Sequence, residues 1–396
     1  MKPGRICLVT ETYPPDVNGV ALTLAHLAAG LRARGHDVSV VCPRPAAGNR
    51  AAGADAESRV HVTHVAGVAL PRRPELHAGL PAGRTLQRIW RRNRPDVVYV
   101  ATEGPLGWSA ARAARRHGLP VWSGFHTRFH DYAGHYGIAW LSPLLFRYLR
   151  WFHNGTDGTL VPAPGLRDEL LATGFQNVRV LGRGVDCERF APRHRSPALR
   201  AEWKVRDDTT VVLNVGRLAG EKNLPLAIEA YRAMRRVDGA ARLVIVGDGP
   251  HRAGLERANP DVLFCGMRSG APLAAHYASA DVFLFPSETE TFGNVVLEAM
   301  ASGLAVVAYD YAAAHAHITD GESGVLASRG DARAFTAGAV ALARAPEGRS
   351  AMGRRAREHA VAVGWDHIVD AFESFLLGTD VARRPATLTE APEGAR

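Results

Sequence analysis

Two runs of one alternation constrain this chain more than any other feature. In the first half, short apolar runs at Ile6–Thr10, Val38–Cys42, Val60–Val65, Val97–Val100 and Val121–Gly124 are separated by helical periodicity. The clearest helical stretches are Asn18–Arg34, stopped by Gly35, and Gly107–His117, stopped by Gly118. The alternation restarts at Val211–Val215 and runs through a helix from Pro225, then Leu243–Val246, Val262–Phe264, Val282–Phe285 and Leu304–Ala308. Unbroken apolar strands interleaved with helices make parallel sheets covered on both faces. The expected fold is therefore α/β, with two doubly wound parallel-sheet domains. A length of 396 residues suits two domains of roughly 150–200 residues each. They are expected over 1–190 and 191–362, with the polar, Pro-containing Arg189–Arg206 as a linker and residues 381–396 as a disordered tail.

With 46 % apolar and 22 % charged residues, the composition is that of a globular protein. No apolar run approaches the roughly 20 residues that span a membrane. Met1–Arg5 leads straight into a strand with no signal-peptide core, which points to the cytoplasm. Cys7, Cys42, Cys187 and Cys265 are scattered and lack metal-ligand spacing, so reduced thiols and no metal site are expected.

The net charge of +9 is one-sided. Residues 1–190 hold 24 Lys and Arg against 14 Asp and Glu, and residues 191–396 hold 24 against 25. Arg72, Arg73, Arg84, Arg88, Arg91, Arg92 and Arg94 cluster, with Arg112, Arg115 and Arg116 nearby. Such a field suits lipid headgroups, nucleic acid or an acidic small molecule, or is a solvated surface. Nucleic acid is disfavoured, because zinc-finger spacing, ribonucleoprotein aromatics and a recognition helix are all missing.

The densest chemistry lies at 286–303, Pro-Ser-Glu-Thr-Glu-Thr-Phe-Gly-Asn-Val-Val-Leu-Glu-Ala-Met-Ala-Ser-Gly. It joins one strand to the next through a helix, so its loop sits where open α/β sheets bind ligands. Glu290, Phe292, Gly293 and Asn294 would lie at a helix start whose free amides favour an anion such as phosphate, and Glu298 follows one turn deeper. Two further strand ends carry fitting groups. Gly216-Arg217 is followed by Lys222, one of only three lysines in the chain; Arg offers a fork and Lys a compact charge to a phosphate. Phe125-His126 follows the Val121–Gly124 run and puts His126 at a ligand-facing edge. Solvated glutamates and a packed histidine are the bland alternatives.

Taken in order, these pieces resemble the retaining, nucleotide-sugar-dependent glycosyltransferases of family 4, which have the GT-B fold of two Rossmann-like domains facing across a cleft. The resemblance covers roughly residues 4–375. It rests on Glu290-(seven residues)-Glu298, Gly216-Arg217 through Glu221-Lys222, and Phe125-His126. Glu11-Thr-Tyr-Pro-Pro through Asn18-Gly19-Val20, and His135-Tyr136-Gly137 through Trp151-Phe152-His153, look like the branch with GDP-mannose-dependent α-mannosyltransferases and sulfolipid synthases.

The resemblance implies roles. Arg217 and Lys222 would hold the donor diphosphate, and Glu298 the ribose. Glu290 would contact the transferred sugar, helped by the amides of Phe292, Gly293 and Asn294. The strand end at Met267 would receive the base, His126 would contact the sugar near the reacting carbon, and Gly19 would approach the phosphate. A hexose, mannose from GDP-mannose first, would move with retention to a lipid or glycan hydroxyl. A UDP-sugar donor (glucose, glucuronate or sulfoquinovose) is the alternative, and a non-catalytic nucleotide- or partner-binding scaffold is another. No Asp-x-Asp occurs, so cations of the protein, without a metal or other cofactor, would stabilise the departing diphosphate. An anionic membrane surface, on the inner face, is a further expected partner. Residues 363–380 are expected to form a helix that crosses back to the first domain.

Overall fold

A computed structural model describes residues 3–16, 18–45, 60–70, 73–126 and 142–378. Seven parallel strands make the first sheet: β1 (Arg5–Val9), β2 (Asp37–Pro43), β3 (His61–Val65), β6 (Val97–Val100), β7 (Val121–Gly124), β8 (Gly158–Val161) and β9 (Val178–Val180). Their order is β3-β2-β1-β6-β7-β8-β9. β4 (Gly67–Leu70) and β5 (Arg73–Gly79) form a separate antiparallel hairpin. β1 lies in register with both neighbours, Ile6 opposite Val38 and Val97. Its Ile6–Val9 are all buried, as expected of a strand covered on both faces.

The second sheet contains β10 (Val211–Val215), β11 (Arg242–Val246), β12 (Leu263–Phe264), β13 (Val282–Phe285), β14 (Ala305–Tyr309) and β15 (Val325–Ala327). Its order is β12-β11-β10-β13-β14-β15, again all parallel. Strand order therefore reverses once in each sheet, between β1 and β6 and between β10 and β13. These two points are where ligands enter doubly wound sheets. The expected α/β architecture of two Rossmann-like domains is what the chain adopts.

The first connection shows how local sequence sets an element. The Asn18 side chain accepts from the N–H groups of Val20 and Ala21 at 3.1 and 3.0 Å, capping the Gly19–Ala33 helix. Gly35, at φ +87°, turns the chain out of it. The helix buries Leu24, Leu27, Ala28 and Leu31. Against this face packs the last helix, Trp365–Leu377, through Val369, Phe372 and Leu376. Gly30 makes the contact possible, since a Cβ there would lie 2.5 Å from Val369 Cγ2. Trp365 stacks on His26 with centroids 4.6 Å apart. Buried Glu373 meets His36 Nε2 at 3.0 Å and Arg34 at 3.7 Å, while His36 Nδ1 accepts the Gly4 N–H.

The β4–β5 hairpin was not read from the sequence. The expected linker Arg189–Arg206 contains a 3-10 turn at Pro192–His194 and a helix at Pro197–Glu202. Arg200 is buried there and donates to the carbonyls of Ser279, Arg206 and Thr209. A polar composition hid a buried cation that ties its own helix to the Arg206–Thr209 turn and to Ser279. Residues 379–396, with the expected tail, lie outside the described residues, as do His135–Gly137. Among the described residues no helix is long and apolar enough to cross a membrane.

Candidate active site

The second sheet's reversal point gathers the charged residues. After β10 the chain passes Gly216-Arg217, makes a 3-10 turn at Gly220–Lys222, and enters the Leu224–Arg235 helix through Asn223 at φ +47°. After β13 it passes Ser287–Phe292 and enters the Asn294–Ala301 helix through Gly293 at φ +94°, a conformation that suits glycine. The loops are stitched together: Glu288 N–H and Ser287 Oγ both donate to the Glu221 carbonyl, at 3.0 and 3.3 Å. Asn223 Nδ2 donates to Glu288 Oε1 at 3.1 Å.

Across this seam Lys222 Nζ is ion-paired with Glu290 Oε1, both side chains being mostly buried, and it lies 5.9 Å from the Phe285 ring centre. Arg217 Nη1 is 3.7 Å from Glu221 Oε1. Tyr311 holds the Glu290 backbone, its hydroxyl donating to the Glu290 carbonyl and accepting the Glu290 N–H at 3.1 Å. Glu298 accepts from the Tyr277 hydroxyl at 2.9 Å. Burial pushes its carboxyl up to about 7, against the opposing pull of that bond and of Arg189.

The neighbouring strand ends are built from backbone. Gly247 N–H donates to the Gly266 carbonyl at 2.9 Å. A Cβ on Gly247 would fall 1.8 Å from the Gly216 carbonyl oxygen, and one on Gly249 2.5 Å from that of Leu218, so these loops close only with glycine. Met267 follows with an exposed side chain.

The first half contributes differently. A Cβ on Gly19 would lie 3.5 Å from Asn294 Nδ2, so the first loop of one sheet faces the helix start of the other. His126 is buried, its Nε2 2.9 Å from the Tyr99 hydroxyl and its Nδ1 in contact with Arg183. A guanidinium only donates, so Nδ1 accepts and Nε2 carries the proton. Burial, with Arg183 and His153 adding to it, holds the imidazole well below its usual range, so the ring is neutral. Among the described residues no hydrogen bond or ion pair joins His126 to Lys222, Glu290 or Glu298. Both nitrogens are engaged within the first domain, so contact with a sugar requires exchange of the Tyr99 bond.

The sequence also passed over Tyr99, Arg183, Tyr277 and Tyr311, which hold His126, Glu298 and Glu290. Arg183 had a signal: Gly182-Arg183 follows β9 as Gly216-Arg217 follows β10. The tyrosines had none, since each sits in an ordinary apolar stretch.

Two family models match the chain: Glycosyltransferase Family 4 over residues 17–189 and Glycosyl transferases group 1 over residues 209–345. A GDP-mannose-dependent alpha-mannosyltransferase of Mycobacterium tuberculosis is 37 % identical, covering 83 % of this chain and 84 % of its own. The chain belongs to glycosyltransferase family 4. Other similar proteins differ in the sugar their names carry. The sulfoquinovosyl transferase of Arabidopsis thaliana is 32 % identical over 69 % of this chain and 55 % of its own. The alpha-monoglucosyldiacylglycerol synthase of Streptococcus pneumoniae is 28 % identical over 77 % and 71 %. Sucrose-phosphate synthase of Thermosynechococcus elongatus has the same fold, with TM-score 0.74 and 18 % identity over 94 % of this chain and 98 % of its own. The Lys222–Glu290 seam is therefore at the sheet reversal of a family-4 glycosyltransferase.

Proposed function

We propose that this glycosyltransferase moves a mannosyl group from GDP-mannose to a hydroxyl of a lipid or glycan acceptor, with retention and without a metal. The observation that carries the reading is the Lys222–Glu290 ion pair beside Arg217 at the β10–β13 reversal. A diphosphate arriving there would take Lys222 and Arg217, and Glu290 would turn to the sugar hydroxyls. Glu298, four residues after Asn294 on the same helix, is the ribose group. As the bond from the anomeric carbon to the diphosphate breaks, its electron pair goes to the phosphate oxygen. Fixed cations and the Asn294–Ala301 helix start stabilise that charge. The acceptor hydroxyl attacks the same face and its proton passes to the departing phosphate.

Mannose is favoured by the 37 % identity to the mycobacterial mannosyltransferase. A UDP-linked glucose or sulfoquinovose donor is the second reading. The backbone-built Gly247–Gly266 strand ends discriminate weakly between bases, and two of the relatives carry those sugars in their names. The lipid acceptor and an anionic membrane surface are suggested by the diacylglycerol-named relative and by the arginines of the Gly83–Arg92 helix. Turnover over a panel of nucleotide sugars, with and without EDTA, tests the proposal. GDP-mannose is expected to be the best donor, with EDTA harmless; a preference for UDP-glucose overturns the donor, and loss with EDTA overturns metal independence.

A further inference from the structure

The loop that carries Glu290 is gripped by a strained turn that the donor reading leaves without a role. After β14 the chain enters the short Ala312–His317 helix. Its first residue, Ala312, has φ +53°, in the left-handed region that strains any residue with a Cβ. The residues on either side of Ala312 both hold the donor loop. The Tyr311 hydroxyl accepts the Glu290 N–H at 3.1 Å and donates to the Glu290 carbonyl, so one oxygen fixes both backbone groups of that residue. Ala313 N–H donates to the Phe292 carbonyl at 2.8 Å. Further contacts lock the turn. The His317 ring meets Phe292 edge-on with centroids 5.8 Å apart, and the Arg329 guanidinium lies 4.9 Å from the Tyr311 ring centre. Asp310 N–H ties the end of β14 to the Ala327 carbonyl at 2.8 Å. The helix itself lies against the Pro164–Ala172 helix of the first domain.

Backbone strain persists only where the surroundings over-determine it, and it collects where geometry matters for function. A relaxed Ala312 would turn Tyr311 away from Ala313, and the bonds to Glu290 and Phe292 could not both be kept. With those bonds made, the Glu290 carboxylate can leave Lys222 for a sugar hydroxyl while its backbone stays still. The other donor contacts belong to other segments: Arg217 and Lys222 to the loop after β10, and Glu298 to the next helix, where Tyr277 holds it. We propose that Tyr311 is a positioning residue for glycosyl transfer. With the strained Ala312 turn it fixes the backbone of Glu290 and so sets where that carboxylate meets the transferred sugar, and it takes no part in holding the nucleotide. This rests on the donor reading of the Lys222–Glu290 seam and adds to it the part that aims Glu290.

The test uses the full chain and follows hydrolysis of GDP-mannose and, in parallel, of UDP-glucose. Turnover is counted per nucleotide-binding site, titrated with GDP or UDP, so that misfolded chains do not contribute. Tyr311→Phe keeps the ring against Arg329 and loses only the hydroxyl. Its kcat is expected to fall at least about tenfold, as for a misplaced reacting group, with the nucleoside diphosphate Kd within about twofold because the phosphate contacts are untouched. In a Glu290→Gln background the same change should cost less than about twofold, since residues that act through one another are not additive. Ala312→Gly is at home at positive φ and should keep kcat within about twofold. Ala312→Val, whose β-branched side chain is an outlier there, should lose activity as Tyr311→Phe does. The assignment fails if Tyr311→Phe keeps parental kcat or weakens nucleotide binding as much as it slows turnover. It fails equally if Tyr311→Phe costs as much in the Glu290→Gln background as in the parent, or if Ala312→Val is as active as Ala312→Gly. A parent chain that neither binds nor hydrolyses either donor overturns the donor reading instead.

Discussion

The two reversal points share a topology and carry opposite chemistry. At the ends of β10 and β13 stand Lys222, ion-paired with Glu290, and Arg217, close to Glu221. At β1 and β6 stand groups that burial drives toward neutrality, Glu11 up to about 7 and Glu103 up to about 8, and after the neighbouring β7 comes a neutral His126. The basic excess of the chain belongs to the half without the Lys222–Glu290 seam. Net charge therefore says little about which sheet binds a phosphate; what matters is which few charges stand at the strand ends. The same topology thus carries a charged seam in one sheet and a largely neutral hydrogen-bonding cluster in the other.

Loss of Lys222 should have the largest effect. Lys222→Ala is expected to lower kcat by roughly 10³-fold, the scale of a lost electrostatic stabiliser. It also leaves Glu290 mostly buried and unpaired, which destabilises. The double variant Lys222→Ala with Glu290→Gln is expected to regain the parental melting temperature and stay inactive. A double variant with restored turnover would remove Lys222 from the chemistry.

Next in size is His126→Ala. It deprives Arg183 and Tyr99 of their shared partner. Turnover should fall roughly 10²-fold, as for a lost general hydrogen-bonding group, and the melt should fall too, because a buried guanidinium loses an acceptor. Both variants are expected to lose activity and stability, and they differ in rescue: the melting temperature of Lys222→Ala returns with a second change, and that of His126→Ala does not. Unchanged melting in His126→Ala would contradict the Tyr99–Arg183 assignment.

Much of this was legible beforehand because it depends on local pattern. Apolar runs and glycine stops located both sheets, and Arg217, Lys222 and Glu290 stood out after predicted strands, with Glu298 one turn into the following helix. What sequence could not give was partnership. Lys222 and Glu290 are 68 positions apart, and nothing local pairs them. Nor does any local signal say that His126 is enclosed by Tyr99 and Arg183, or that Arg200 is buried in a stretch that reads as a linker. Those are outcomes of tertiary packing, which composition does not carry.

A smaller effect probes how burial tunes a charge inside the cationic site itself. Glu298 has a folded-state pKa of about 7 against an ordinary value of 4.5. Between those values the folded chain keeps a proton that the unfolded chain has released, so stability falls as pH rises from about 4.5 to about 7 and remains low above it. At roughly 1.4 kcal/mol per unit the loss is at most about 3.5 kcal/mol. Glu298→Gln abolishes it: the variant's melting advantage should be near zero at pH 4.5 and reach a few degrees at pH 8, while its donor Kd rises about tenfold. An advantage that shrinks with rising pH would reverse the sign of the argument.

The smallest expected effect on transfer itself comes from the basic surface of the first half. Arg84, Arg88, Arg91 and Arg92 line one shallow patch on the Gly83–Arg92 helix, whose Leu86 and Trp90 are buried. A helix that buries its apolar residues in the core has no apolar face to insert, so any membrane attraction must be electrostatic. Such attraction is worth about 1 kcal/mol per residue near an anionic surface and decays within a Debye length. Reversing all four to Glu should abolish sedimentation with anionic vesicles and leave hydrolysis of the free donor within twofold, because these charges lie outside both reversal points. In the parent, 0.5 M NaCl should release bound protein. Salt-resistant sedimentation would mean apolar insertion by another surface, such as Leu144 and Trp151, exposed on the Ser142–Asn154 helix, and the arginine patch would then be ordinary solvated charge.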